Sequence, residues 1–261
     1  MVAPSEHGRP GAVRVAVALL VLSACTGLSP LRGRAVVGRD GYAIFVADGP
    51  EGEADLFGVR TDGGPVFQIT YTNILEAAPA LSPDGGAVAF LRGATTRDSV
   101  PAAVWVLNLL TGAERELRLP VGAPAPARVG WSADGKLVYI RAGSARYVLH
   151  APPAAAAARP LTGPAGAAAD SSLWVLLGAP PLGRAVQCGA ALCVQADTGA
   201  PSPFAENARD AARWGADSVG YLSGGDLVVR PLGQGRERRV EWSGVPARPR
   251  ELTVFAGASK K

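Results

Sequence analysis

Ser82-Pro83-Asp84-Gly85, followed after one residue by Ala87-Val88-Ala89-Phe90-Leu91, is the stretch that decides how this chain is read. Serine, proline, aspartate and glycine in that order suit a type I turn, because proline presets φ at the second position and glycine accepts positive φ after it. Such a turn joins two antiparallel strands. The apolar run after it is too short for a helix and reads as a strand buried on both faces, the place of an inner strand in a packed blade.

The motif recurs. Ser132-Ala133-Asp134-Gly135 stands before Leu137-Val138-Tyr139-Ile140. Weaker copies are Gly38-Arg39-Asp40-Gly41 before Tyr42 to Val46, and Gly215-Ala216-Asp217-Ser218 before Val219 to Leu222. A fifth copy, Ala169-Asp170-Ser171, precedes Leu173-Trp174-Val175-Leu176-Leu177. The aspartates are spaced 36 to 50 residues apart. Downstream of three turns a second strand pair repeats: Asp55 to Val59 before Asp62-Gly63-Gly64 and Val66 to Thr70, Val104 to Leu107 before Thr111-Gly112, and Asp226 to Val229 before Gly233. Four short strands per unit of this length make a propeller blade. The fold class expected is all-β, a β-propeller of four-stranded blades. Composition agrees, with 48% hydrophobic residues for a core while 33 Gly and 22 Pro interrupt long helices.

This pattern, clearest from Asp55 to Leu91 and from Val129 to Arg141, resembles the TolB-type propeller repeat and extends over roughly residues 36 to 244. It departs from that repeat at Asp170 and Asp217, where serine follows the aspartate instead of glycine. The last apolar segment, Arg250 to Phe255, has no turn motif after it and is expected to complete the N-terminal blade, because a sheet that mixes both termini removes exposed edges. The count is then five blades. Six is the alternative, the number usual in TolB-like propellers.

Residues 1–24 read as an export signal: Arg9 and Arg14, then the apolar Val15 to Leu22, then Ser23 and Ala24. Eight apolar residues rise only about 12 Å as a helix, far short of a bilayer core of roughly 30 Å. Leu22-Ser23-Ala24-Cys25 resembles the lipobox of bacterial lipoproteins. That resemblance implies lipid on Cys25, a tether over residues 25–35, and a propeller over 36–261 held in the cell envelope. Thr26 is not the Asp that lipoprotein families associate with inner-membrane retention, so in a cell with two membranes the expected site is the outer membrane, facing the periplasm.

Candidate chemistry is sparse. His7 lies in the signal and His150 is the one other histidine, which excludes sites needing two imidazoles and leaves His150 as the only base for a Ser-His-Asp triad. No catalytic residue, cofactor or metal is assigned. Cys188 and Cys193 enclose four residues in a compartment where disulfides persist; they form a bridge across a hairpin or are two small buried side chains. Asp48, Glu51, Glu53 and Asp55 gather four carboxylates on a glycine-rich loop, a weak calcium candidate whose spacing is not that of an EF-hand, against a solvated acidic turn.

The recurring Asp40, Asp84, Asp134, Asp170 and Asp217 serve their turns, since aspartate side chains bond nearby amides. Trp131 and Trp214, just before two of those turns, read as blade packing. The formal charge is +4, and the 26 basic residues, of which only Lys136, Lys260 and Lys261 are lysine, are spread along the chain. Arg236-Glu237-Arg238-Arg239 with Trp242 reads as an exposed outer strand, and no nucleic-acid contact is expected. The expected role is a lipid-anchored envelope module that binds or scaffolds a protein partner. The alternative is an envelope glycan- or peptide-acting enzyme with carboxylates in the propeller funnel.

Overall fold

The repeats fold into antiparallel sheets, with the aspartate turns at Asp84, Asp134 and Asp217 joining the first two strands of theirs. The structure, a computed structural model, describes residues 40–97, 100–152, 158–163, 183–196 and 199–257. In chain order the strands are β1 (Tyr42–Asp48), β2 (Ala54–Arg60), β3 (Gly64–Pro65), β4 (Phe67–Gln68), β5 (Glu76–Leu81), β6 (Ala87–Arg92), β7 (Ala103–Asn108) and β8 (Glu114–Leu117). They continue as β9 (Pro126–Trp131), β10 (Leu137–Ala142), β11 (Ala145–His150), β12 (Arg159–Pro160), β13 (Arg184–Cys188), β14 (Ala191–Gln195) and β15 (Ser202–Ala205). The last are β16 (Ala208–Trp214), β17 (Ser218–Ser223), β18 (Asp226–Pro231), β19 (Arg238–Val240), β20 (Trp242–Ser243) and β21 (Arg250–Phe255).

Five of the sheets are blades of a propeller. Blade one runs β21-β1-β2-β4, blade two β5-β6-β7-β8, blade three β9-β10-β11-β12, blade four β13-β14-β15 and blade five β16-β17-β18-β19. The first strand named in each blade lines a common central channel. Five is therefore the count and six is set aside. Blade four shows three strands among the described residues. Its axial strand is β13, and a two-residue turn at Gly189-Ala190, with Gly189 at φ +64°, leads into β14. Among the described residues the channel strand of blade four is followed by this glycine hairpin; the expected fifth copy, Ala169-Asp170-Ser171 with Leu173 to Leu177, lies outside them.

The expected ring closure is present. β21 pairs antiparallel with β1, with Tyr42 opposite Phe255, Ala43 opposite Val254 and Ile44 opposite Thr253. One expectation needs correcting: the apolar strand after each Asp turn is not the inner strand. It is the second from the axis, because the axial strand presents one side to an open channel and carries polar residues there, whereas β1 and β6 are covered on both sides and buried almost end to end.

Apolar clusters fill the seams between neighbouring blades. Tyr42, Ile44 and Leu56 of blade one pack with Val88, Phe90 and Leu107 of blade two, and Phe45 and Phe57 pack with Trp214, Leu222 and Leu227 of blade five. Burying a side chain such as Phe45 or Phe90 contributes about 1.5–3 kcal/mol. A latch further out joins the same two end blades: β20 pairs in parallel with β3, and Trp242 packs on Phe45 with ring centroids 5.2 Å apart. Gly63 is required beside that latch, since its φ is +97° and a Cβ would stand 2.3 Å from the carbonyl oxygen of Glu241.

Blades one and two also share a buried ionic network. Arg92 donates through Nη2 to Glu76 at 2.7 Å and through Nη1 to Glu114 at 2.6 Å, and its guanidinium lies 4.9 Å from the Phe90 ring centroid and 4.7 Å from that of Trp105. The Thr70 hydroxyl donates to the other Glu76 oxygen at 2.5 Å. Nearby Asp55 accepts from Gln68 Nε2 at 2.8 Å and from the N–H of Thr72 at 3.2 Å. Burial pushes both carboxyls up, Glu76 and Asp55 each to about 6, although Arg92 pulls the other way.

Candidate functional site: the axial channel

The axial strands surround a cavity of about 670 Å³. Much of its wall is small and apolar, including Ala78, Ala80, Ala127, Val129, Ala185 and Ala211. Polar side chains enter from three blades: Arg128 on β9, Asp210 and Arg213 on β16, and Glu251 on β21. Gln187 adds a fourth from β13, where its Nε2 donates to the carbonyl of Ala208 at 3.0 Å.

Bulges near the starts of the axial strands aim these groups. The register shifts between Ala77 and Ala80 in β5, and between Arg209 and Ala212 in β16. Pairing of β21 with β1 shifts likewise between Ile44 and Val46. At these bulges Ala78, Asp210 and Glu251 adopt positive φ, +49°, +55° and +55°. An extra residue at a bulge re-aims its side chain. The carboxylates hold the ring at the same place: Asp210 accepts from the backbone N–H of Glu251, and Glu251 accepts from that of Ala78 at 2.5 Å. Three blades are thereby clasped in sequence around the channel.

The electrostatics of the mouth follow from this crowding. Burial pushes the Asp210 carboxyl up, against the pull of the Glu251 N–H and of Arg209, Arg250 and Arg128. Burial raises Glu251 as well, and the neighbouring Asp210 charge adds to the rise. Arg128 is held below the ordinary arginine value by burial and by Arg141, its partner in the β9–β10 register. Asp210 and Glu251 carry no repeat signature, so sequence reasoning missed them. The signal that could have found them is the place of each near the start of an axial strand.

The residues singled out by sequence fall elsewhere. The turn aspartates lie at the opposite end of the channel strands: Asp84 accepts from Ser82 Oγ at 2.6 Å and from the N–H of Gly86 at 2.9 Å, and Asp134 accepts from Ser132 Oγ at 2.6 Å and from the N–H of Lys136 at 3.1 Å. Asp217 stands in the β16–β17 turn, and Asp40, before β1, accepts from Arg60 at 3.2 Å. Asp170, His7 and Cys25 lie outside the described residues. Trp131 donates from Nε1 to the carbonyl of Ala80 at 2.8 Å, tying blade three to blade two, and Trp214 is buried between blades one and five. His150 ends β11 on the surface.

Cys188 and Cys193 are joined in a disulfide across the β13–β14 hairpin, with Cα atoms 5.9 Å apart. The four acidic residues of the first blade diverge. Asp48 pairs with Arg248 and, at 3.2 Å, with Arg250, Asp55 turns inward to Gln68 and Thr72, and Glu51 and Glu53 lie on the turn between β1 and β2. Among the described residues no three His, Cys, Asp or Glu side chains are gathered as a metal site, and no helix is long and apolar enough to cross a membrane. Arg238 and Arg239 are exposed on β19, as expected of an outer strand.

Fold and channel together define a five-bladed β-propeller closed by its last strand. Among solved structures this chain is similar to TolB from Acinetobacter baumannii, at 17% identity over 82% of this chain and 66% of that one, with a TM-score of 0.48. It is also similar to a protein assigned as TolB from Agrobacterium tumefaciens, at 12% identity over 82% and 70% with a TM-score of 0.37, and to the tricorn protease, at 14% identity over 74% and 19% with a TM-score of 0.31. This chain thus spans about two thirds of the Acinetobacter protein's length. No protein-family model and no curated protein matches the sequence. The likeness is one of fold, and the blade count rests on the five sheets themselves.

Proposed function

We propose that this chain is a lipid-anchored cell-envelope protein whose propeller binds a protein partner at the axial channel. The observation that carries the binding role is the way the channel carboxylates are used. Asp210 and Glu251 each accept a backbone N–H from the next blade, so both are committed to holding the ring open around a cavity of about 670 Å³. A cavity of that size, preformed, with small apolar side chains and convergent polar groups sharing its wall, is built for recognition. The sequence Leu22-Ser23-Ala24-Cys25 supports the anchor, and outer-membrane attachment facing the periplasm is the corresponding location in a cell with two membranes.

The second reading is an enzyme acting on an envelope glycan or peptide. One observation favours it, namely two neighbouring carboxyls in the channel, both raised by burial, an arrangement that general acid catalysis uses. Their backbone hydrogen bonds rank it second. Two experiments test the proposal. Labelling growing cells with a radioactive fatty acid should mark the wild-type chain and not Cys25→Ser, which should leave the membrane fraction; equal labelling of both would overturn the anchor. Asp210→Asn and Glu251→Gln should keep partner binding, and loss of a hydrolytic activity in both with binding intact would favour the enzyme.

A further inference from the structure

The two mouths of the channel differ in charge. At the end where the axial strands begin, Arg128 and Arg141 face each other across β9 and β10, Arg184 opens β13, Arg209 precedes Asp210 with Nε 3.5 Å from its carboxylate, and Arg250 precedes Glu251. The carboxylates at that end are Asp210, Glu251 and Asp48, which pairs with Arg250 at 3.2 Å, while the buried Glu76 at the start of β5 is matched by Arg92; five arginines thus stand against three carboxylates. At the other end stand the turn aspartates Asp84, Asp134 and Asp217, with Lys136 beside Asp134 and Arg213 bonded to the carbonyls of Gly215 and Ala216, so arginine is in excess only at the first mouth. Like-signed charge around a concave, low-dielectric opening focuses the field into it and raises the local concentration of the opposite charge.

We infer that the arginine-rimmed mouth takes an extended, acidic peptide segment of the protein partner, its carboxylates received by Arg128 and its neighbours and its small side chains lying along the alanine and valine wall. This inference rests on the binding role proposed above and names the ligand's chemistry. Guanidinium forks pair with carboxylates bidentately, which suits Asp and Glu side chains at a rim. The wall argues against a sugar, because no aromatic side chain lines the channel among the described residues to stack on a pyranose ring. A membrane surface is also a poor fit, since the arginines ring a concave mouth and a bilayer cannot enter it.

The test uses a fluorescein-labelled peptide of about ten alternating Glu and Ala residues, measured by anisotropy against the full propeller at low and moderate salt. Tight binding is expected, weakened by salt, with no binding of the matching Lys and Ala peptide. Arg128→Gln should weaken binding about tenfold or more, the loss of one charge-assisted pair, and Arg128→Lys should recover only part of it. Arg115→Gln, on the outer strand of blade two, should change nothing. Equal binding by Arg128→Gln with an unchanged melting temperature would overturn the inference, as would stronger competition from polygalacturonate or from phosphatidylglycerol vesicles than from unlabelled peptide. If no acidic peptide binds while the partner still cross-links to the channel in cells, the ligand class falls and the binding role stands.

Discussion

The backbone N–H of Ala78 donates to the carboxylate of Glu251 at 2.5 Å, a contact between residues 173 positions apart in the chain. It joins the axial strand of blade two to the strand that closes the ring. A few residues on, the N–H of Leu81 donates to Thr253 Oγ1 at 3.2 Å, so β21 is held by blade two as well as by β1. Glu251→Ala leaves the Ala78 amide without its acceptor and should cost about 1–3 kcal/mol, read from urea midpoints, whereas Glu251→Gln should retain most of that stability.

Removing residues 250–261 takes away the whole closing strand and exposes the edge of β1. Val46 and Phe45 on that strand are fully buried, and the seam with blade five would open. The truncated chain is expected to lose its cooperative thermal transition or to melt far below the full chain, and to associate through the bared edge in sedimentation experiments. An unchanged melting temperature would contradict ring closure.

The Arg92 network should give stability an unusual pH dependence. Glu76 and Asp55 titrate near 6 in the folded chain, above their ordinary values of 4.5 and 3.8, so the folded state binds protons more strongly across that window. Stability contributed by these two groups is therefore present at low pH and lost as pH rises from about 4 to 6, on the order of 2 kcal/mol for each. Asp48, Asp62, Asp84 and Asp134 are held below their ordinary value and act in the opposite sense, withdrawing stability as pH falls below about 4. Urea midpoints should accordingly peak at about pH 4, and Glu76→Gln should flatten the decline towards pH 7.

Arg92 itself cannot be replaced by another cation. It bridges Glu76 and Glu114 with a planar fork and stacks between Phe90 and Trp105. Arg92→Ala strands the buried Glu76 carboxyl and should destabilise by about 3–5 kcal/mol in equilibrium unfolding. Arg92→Lys should recover little, because an ammonium reaches neither both carboxylates nor both rings.

The hairpin disulfide closes a short loop, for which chain-entropy arguments give about 2 kcal/mol. The double substitution Cys188→Ser with Cys193→Ser should lower stability by about that amount while leaving the other four blades' strand signals in place. Alkylation mass spectrometry of protein isolated from cells should show no labelled thiol at either position unless reductant is added first.

The parts of this molecule that announce themselves in sequence are those that repeat. Ser82 to Gly85 and Ser132 to Gly135 revealed the blades because the same device, a turn aspartate bonding a neighbouring amide, serves two of them, and Arg250 to Phe255 stood out as an apolar strand lacking a turn. Blade four is the least legible: its described channel strand turns through a glycine hairpin at Gly189-Ala190, which carries no repeat signature, while the Asp170 copy lies outside the described residues. The channel residues were invisible for a different reason. Arg128, Asp210 and Glu251 converge only when three blades meet, and each owes its direction to a bulge or a register that no local pattern encodes. Four carboxylates close in sequence, Asp48 to Asp55, drew notice yet point apart, because Asp48 stands opposite Ala54 and Asp55 opposite Ala47, and successive residues of a strand face opposite sides.

The central claim is that the channel mouth is where a partner binds, and site-specific photo-crosslinking in living cells tests it most directly. A photoreactive residue at Ala127, which is exposed on β9 and lines the channel, should give a discrete adduct with one envelope protein, diminished by Arg128→Gln. The same group at Glu116, on the outer strand of blade two, should give none. Adducts from Glu116 with none from Ala127 would move the binding face to the rim of the propeller and contradict the account.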